Sequence, residues 1–206
     1  QANIKQNKKE RKLGKFYNII EDSNKPWICV ESAVFRRNMP HPDPGKPGKS
    51  YHRFSWYSYF RDEGYYNNLN CPDDRWKQVK ADQQLEVNWR TKGEYVLLTL
   101  QRPGDSSLKN LLTKHGSYKG FLEFTINEIK KHTDRKILVR PHPSRRNDQL
   151  KMLADLNLPG IEISNNVSAE GFLSGATALQ ADFDRAWAVV GFNSNALTES
   201  IMEGIP

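Results

Sequence analysis

Residues 136 to 148 read KILVRPHPSRRND, an apolar run delivered straight into Arg140, then His142 between two prolines, then Arg145 and Arg146. Guanidinium groups are planar forks of donors that match phosphate in pairs. A histidine flanked by Pro141 and Pro143 sits in restricted, extended backbone. Together they suit preorganised donors aimed at phosphate, or at charge developing on it. Arg140 would be the bidentate partner and His142 the fixed donor, with Arg145 and Arg146 as surface charges nearby. A structural, capping histidine is the competing reading.

A second chemical cluster is Asn193-Ser194-Asn195, at the start of a helical stretch and just after Gly191. Free N–H groups and the helix dipole favour an anion there, and the glycine lets backbone approach a ligand closely. Simple N-capping explains the same residues. Glu199 lies one and a half turns further on. A carboxylate is poorly suited to phosphate but well suited to the two hydroxyls of a ribose; a solvent-facing helix glutamate is the bland alternative.

Other motifs carry less. Gly45-Lys46-Pro47-Gly48-Lys49-Ser50 imitates a P-loop, but the position that needs the first glycine holds Asp43. It reads as a basic loop. His41 and His52 flank it without a carboxylate or thiol at ligand spacing, so no metal site is expected. The run from His52 to Arg61 interleaves Phe54, Trp56, Tyr57, Tyr59 and Phe60 with Arg53 and Arg61. Such a run stacks bases or sugars, or forms a core strand.

These residues need elements to hold them. Residues 1–14 read as a basic tail or helix. KFYNII, PWICVESAVF and YHRFSWYSYF read as strands or extended segments, and PDDRWKQVKADQQLEV as a helix. From Glu94 the pattern becomes strand and helix in alternation. EYVLLTLQ, KILVR, GIEIS and WAVVGF are short apolar strands. SSLKNLL, SYKGFLEFTINEIKKH, NDQLKMLADLN, ALQADFDRA and SNALTESIMEG are helical, with Phe121, Leu122, Phe124, Ile126 and Ile129 as the buried face of the second. That alternation predicts an α/β fold, a parallel sheet covered by helices on both faces. Ligands of such sheets bind outside the carboxyl ends of the strands. Those ends carry Gln101 to Ser107, Arg140 to Pro143, Ser164 to Asn166 and Gly191 to Asn195. All four are polar, and they predict one site for a phosphorylated ligand.

The totals set bounds. The chain has 206 residues, a net charge of +7 and a pI near 9.3. That balance favours an anionic partner such as nucleic acid or nucleotide. Residues 1–90 hold 17 lysines and arginines against 11 aspartates and glutamates, so most of the excess lies there. Two cysteines, Cys29 and Cys71, are too few for a disulfide scaffold and read as reduced thiols in a cytosol. No run approaches a membrane span. The chain opens on Gln and stops at MEGIP, where a strand is expected to follow a helix, so it reads as a truncated piece of a longer protein.

YVLLTLQRPGDSSL, ILVRPHP and WAVVGFNSNALTESIMEGIP resemble, in that order, the C-terminal nucleotide-binding half of GT-B glycosyltransferases. Bacterial capsule polysaccharide transferases have a similar succession of a Gln-x-x-x-Asp turn, an Arg-x-His-Pro turn and a final Asn-Ser helix. ICVESAVFRRNM is similar to their Glu-x-Gly-x-x-Arg segment, with Ala33 in place of the glycine. Across nearly the whole chain, the sequence most resembles the phage family that transfers α-glucose to β-glucosyl-hydroxymethylcytosine in DNA.

The resemblance implies a GT-B-like chain. Residues 1–91 would be part of an N-terminal acceptor lobe, and 92–206 a Rossmann-like domain for the nucleotide sugar. It implies UDP-glucose as co-substrate, duplex DNA with modified cytosine as acceptor, no tightly bound cofactor and no essential metal. Gln101, Arg102, Asp105, Ser106, Arg140, His142, Asn193, Ser194 and Glu199 would line the donor side. Arg36, Arg37, Arg53, Trp56 and Arg61 would face the acceptor. Glu31 and His142 are the catalytic candidates, Glu31 as general base if the reaction inverts. The location implied is cytoplasm, that of the host cell for a phage enzyme. Two rival readings stand beside this one, a surface-polysaccharide glycosyltransferase with another nucleotide sugar and a non-catalytic nucleotide- or DNA-binding protein.

Overall fold

The computed structural model describes residues 19–20, 22–32, 45, 52–57, 70, 72–82, 88–156, 158–166 and 175–206. The chain divides into two compact units, residues 1–75 and 76–206. This division and the one read from sequence at residue 92 differ by the segment 76–91, which holds most of helix α1 (Asp74–Asp82).

In the first unit, β1 (Ile28–Ser32) and β2 (His52–Trp56) form an antiparallel pair. Glu31 stands opposite Arg53, Val30 opposite Phe54 and Ile28 opposite Trp56. Strand side chains alternate between faces. One face therefore carries Ile28, Val30, Phe54 and Trp56, all exposed. Ile19 and Ile20 are helical, where the sequence suggested a strand. The adjacent Glu-Asp-Ser-Asn run has no apolar alternation to support a strand. Ser23 instead closes a turn, donating its N–H and its hydroxyl to the Ile20 carbonyl.

The second unit holds β3 (Tyr95–Thr99), β4 (Lys136–Arg140), β5 (Ile161–Ile163) and β6 (Ala186–Val190). They form one parallel sheet in the order β5-β4-β3-β6. The chain moves outward from β3 through β4 to β5, then returns to the other side of β3. That is the order of the first four strands of a doubly wound sheet, and the reversal lies between β3 and β6.

Alternation along the strands fills two cores. Val96, Leu98, Ile137 and Val139 face one side, under Leu122, Ile126 and Ile129 of α3 (Tyr118–His132) and Leu153 of α4 (Arg146–Leu156). Leu97, Leu138 and Val189 face the other, with Phe183 of α5 (Gly175–Phe183) and Ala196 of α6 (Asn195–Met202). Helices thus cover both faces, as the strand composition required. A short helix, α2 (Lys109–His115), precedes α3. Phe124 departs from expectation: it is 44% exposed. Leu122, Ile126 and Ile129 share one stripe at helical spacing, and a residue two places after Leu122 falls on the opposite side. Its ring packs on His115 instead, 4.6 Å between centroids.

Local chemistry explains the ends. Ser117 caps α3, its hydroxyl accepting from the Gly120 N–H, and Lys130, Lys131 and His132 occupy the last turn, where the dipole favours cations. Arg90 places its guanidinium on the carbonyls of Phe183, Asp184 and Ala186, satisfying the C-terminal end of α5. No helix among the described residues is long and apolar enough to cross a membrane.

Candidate functional site

The carboxyl ends of β3 and β4 are joined by one buried amide. Gln149 of α4 is 1% exposed. Its Oε1 accepts the His142 backbone N–H at 2.6 Å, and its Nε2 donates to the Gln101 carbonyl at 2.8 Å. The Tyr118 hydroxyl donates to that carbonyl too, at 2.7 Å. Burial pushes the Tyr118 phenol well above its ordinary pKa, so it stays a neutral donor. The loops after β3 and β4 are therefore fastened to α3 and α4 before any ligand arrives.

His142 stands on this foundation. It precedes a single 3-10 turn, Pro143–Arg145, and caps it through its own ring. Nδ1 accepts from the Ser144 N–H at 3.2 Å, and the Ser144 hydroxyl lies 3.0 Å from the same nitrogen. A nitrogen that accepts carries a lone pair, so the neutral ring holds its proton on Nε2. Loss of solvent lowers its pKa below 6.5. Arg102 adds to the lowering, Asp105 opposes it, and Arg145 lowers it further. The result is a neutral imidazole whose Nε2–H is not taken up by the cap, in electrostatic reach of charges from both strand-end loops. Histidine as cap and histidine as donor are one arrangement here, since the cap uses Nδ1 only.

Arg140 takes a different place from the one proposed on sequence. It is buried, and its guanidinium is ion-paired with the carboxylate of Asp182 on α5, itself fully buried. Asp182 also accepts from Ser164 Oγ, 2.9 and 2.8 Å from its two oxygens, and from Asn166 Nδ2 at 2.8 Å. Its backbone carbonyl accepts the Tyr95 hydroxyl at 2.7 Å. The polar residues at the ends of β4 and β5 thus converge on an internal carboxylate. Asp105 is similarly occupied. Its Oδ1 accepts from the Ser107 N–H and hydroxyl, at 2.9 and 2.7 Å, and Gln101 Nε2 reaches its Oδ2 at 3.4 Å.

At the strand-order reversal, Gly191 lies against Thr99. A Cβ on residue 191 would sit 2.5 Å from Thr99 Oγ1, whose hydroxyl donates to the Val190 carbonyl. The close approach brings the loop after β6 beside that after β3. Ser194 caps α6, its hydroxyl accepting from the Ala196 N–H at 3.3 Å. Asn193 is exposed. Loss of solvent pushes the Glu199 carboxyl above its ordinary 4.5, with Arg140 pulling it back.

The chain matches no family model, and no curated protein matches it.

The remaining candidates divide plainly. Arg102 is exposed in the loop after β3. Ser106 opens the 3-10 turn after β3, and its side chain lies outside the described residues. Arg36, Arg37 and Arg61 lie outside them too. Glu31 is placed by its backbone, in register with Arg53. Arg53 and Trp56 are both exposed but three positions apart on one strand, so they stand on opposite faces of the ribbon. Sequence reasoning grouped them on one acceptor surface, and the pleat separates them. It also passed over Asp182, Gln149 and Tyr118. Asp182 had a signal, a lone acid in the apolar context of ALQADF. Gln149 had none, because nothing in NDQLKML marks an amide that will be buried.

Proposed function

We propose that this chain is a hexosyltransferase that takes glucose from UDP-glucose and places it on glucosylated hydroxymethylcytosine in duplex DNA. The observation that carries the donor half is His142. A neutral Nε2–H at the carboxyl end of a parallel strand, with Arg102 and Arg145 in reach, suits a departing diphosphate. The resemblance to GT-B enzymes supplies the sugar nucleotide, and its phage branch supplies the acceptor.

In this reading the bond from the anomeric carbon to the β-phosphate oxygen breaks, and its electron pair leaves with UDP. The acceptor oxygen bonds to the anomeric carbon. His142 Nε2–H and Arg102 gain strength as charge gathers on the diphosphate, which is what accelerates the step. With retention, the acceptor proton leaves on the departing phosphate. Ser194 and the start of α6 would face the phosphates and Glu199 the ribose. Arg140 acts beneath them, held by Asp182. On the acceptor, position 5 of cytosine projects into the major groove, so the base need not leave the duplex.

The test is transfer of radiolabelled glucose from UDP-glucose to duplex DNA containing hydroxymethylcytosine, with and without a prior glucose. Label entering only the pre-glucosylated DNA supports the reading. Label entering an oligosaccharide acceptor instead points to a surface-polysaccharide enzyme. UDP binding without any turnover points to a non-catalytic binder. His142→Ala should lower kcat by roughly a hundredfold, the cost of one transition-state donor, with the fold intact. A wild-type rate in that variant would remove His142 from the mechanism.

A further inference from the structure

The segment Pro141-His142-Pro143 contains a single backbone donor, because proline has no N–H. Gln149 captures that donor. We infer that Gln149 is the positioning residue of this site, fixing His142 through its backbone and the β3 loop through Gln101. The inference rests on the reading of His142 as the donor at the crevice.

Both ends of the amide are specified. Oε1 must face the His142 N–H, and Nε2 must face the Gln101 carbonyl. No other uncharged side chain of that length offers an acceptor and a donor at once. His142 is then held at two points, its N–H by Gln149 and its Nδ1 by Ser144. With backbone and ring both fixed, Nε2–H keeps one direction. Gln101 is less dependent, since the Tyr118 hydroxyl also reaches its carbonyl. Removing the amide therefore frees the histidine more than it frees the β3 loop.

The experiment compares wild type with Gln149→Met and Gln149→Glu by NMR and by steady-state kinetics. Methionine keeps length and burial without either hydrogen bond. In that variant the His142 amide proton should exchange on the order of tenfold faster or more, and the imidazole titration should move. Its kcat should fall while KM for UDP-glucose changes little, because the ring loses its aim rather than the site its shape. Glutamate keeps the acceptor for the His142 N–H but adds a buried charge beside it. In Gln149→Glu the His142 backbone amide should stay protected and the imidazole pKa should rise, against the lowering by Arg102 and Arg145. Unchanged His142 exchange and titration in folded Gln149→Met would overturn the inference. If the methionine variant does not fold, an unchanged imidazole titration in Gln149→Glu would overturn it equally. The NMR readouts need no substrate. Absence of glucose transfer by wild type would overturn the proposed function and leave the clamp to be decided by exchange alone.

Discussion

Burial is the first cause of the low His142 pKa, Arg102 the next, and Asp105 and Arg145 work against each other after that. Each charge belongs to a different side chain, so each can be removed. Arg102→Ala and Arg145→Ala should raise the imidazole pKa, and Asp105→Asn should lower it, all read by NMR titration of the ring. No movement in any of the three would mean that these loops do not meet at His142. The sign for stability follows from linkage. The folded value lies below the unfolded 6.5, so the stability His142 contributes is present above pH 6.5 and is lost as pH falls through the folded value. Glu199 runs the other way. Its folded value lies above 4.5, so its contribution is present below 4.5 and is lost as pH rises through the folded value. Catalysis by a neutral donor has the polarity of His142, and activity should hold through pH 6.5 rather than halve there.

At the scale of elements, Asp182 ties α5 to the ends of β4 and β5. The Arg140 and Asp182 side chains are 8% and 0% exposed, so deleting Asp182 takes a buried carboxylate away from a buried guanidinium. Asp182→Ala should cost about 3–5 kcal/mol, read from the midpoint of urea unfolding. Ser164→Ala removes one of several donors to the same carboxylate and should cost only about 1 kcal/mol. Equal losses would mean the ion pair is not the element that matters. The strands themselves were legible in YVLLT, KILVR and AWAVV because a strand buried on both faces must be apolar throughout. That the polar strand ends share one edge was legible for the same reason, since parallel strands bring all their carboxyl ends to one edge. How each polar side chain at that edge is used was not legible. Arg140 and Arg102 are the same residue at comparable strand ends, yet one meets an acid from a helix 42 positions away and the other meets solvent. Composition reports polarity at a strand end; only the packing of α5 and α4 decides whether it is spent inward or presented to a ligand.

At the scale of the whole molecule, the positive charge is concentrated in residues 1–90, and the described part of that region presents two unlike faces on one ribbon. Ile28, Val30, Phe54 and Trp56 form the apolar face, while Arg53 stands on the other, in register with Glu31. A rigid duplex lying on a two-stranded ribbon contacts one face. Affinity for DNA comes mainly from phosphate neutralisation, with log K falling against log salt at about 0.9 per phosphate contacted. For the proposed duplex acceptor, exposed Arg53 is therefore the expected contact, at the end of a face whose Ser55 is buried. Arg53→Ala should weaken duplex binding and flatten the salt slope by about one unit, measured by fluorescence anisotropy between about 50 and 200 mM salt, while UDP affinity by calorimetry stays unchanged. Trp56→Ala should leave duplex affinity within about twofold, because its ring points away from Arg53 across the pleat. The reverse pattern, loss with Trp56 and none with Arg53, would place the acceptor on the apolar face. Stacking on exposed rings would then be the mode of recognition, and the acceptor would be a splayed strand or a sugar rather than an intact duplex.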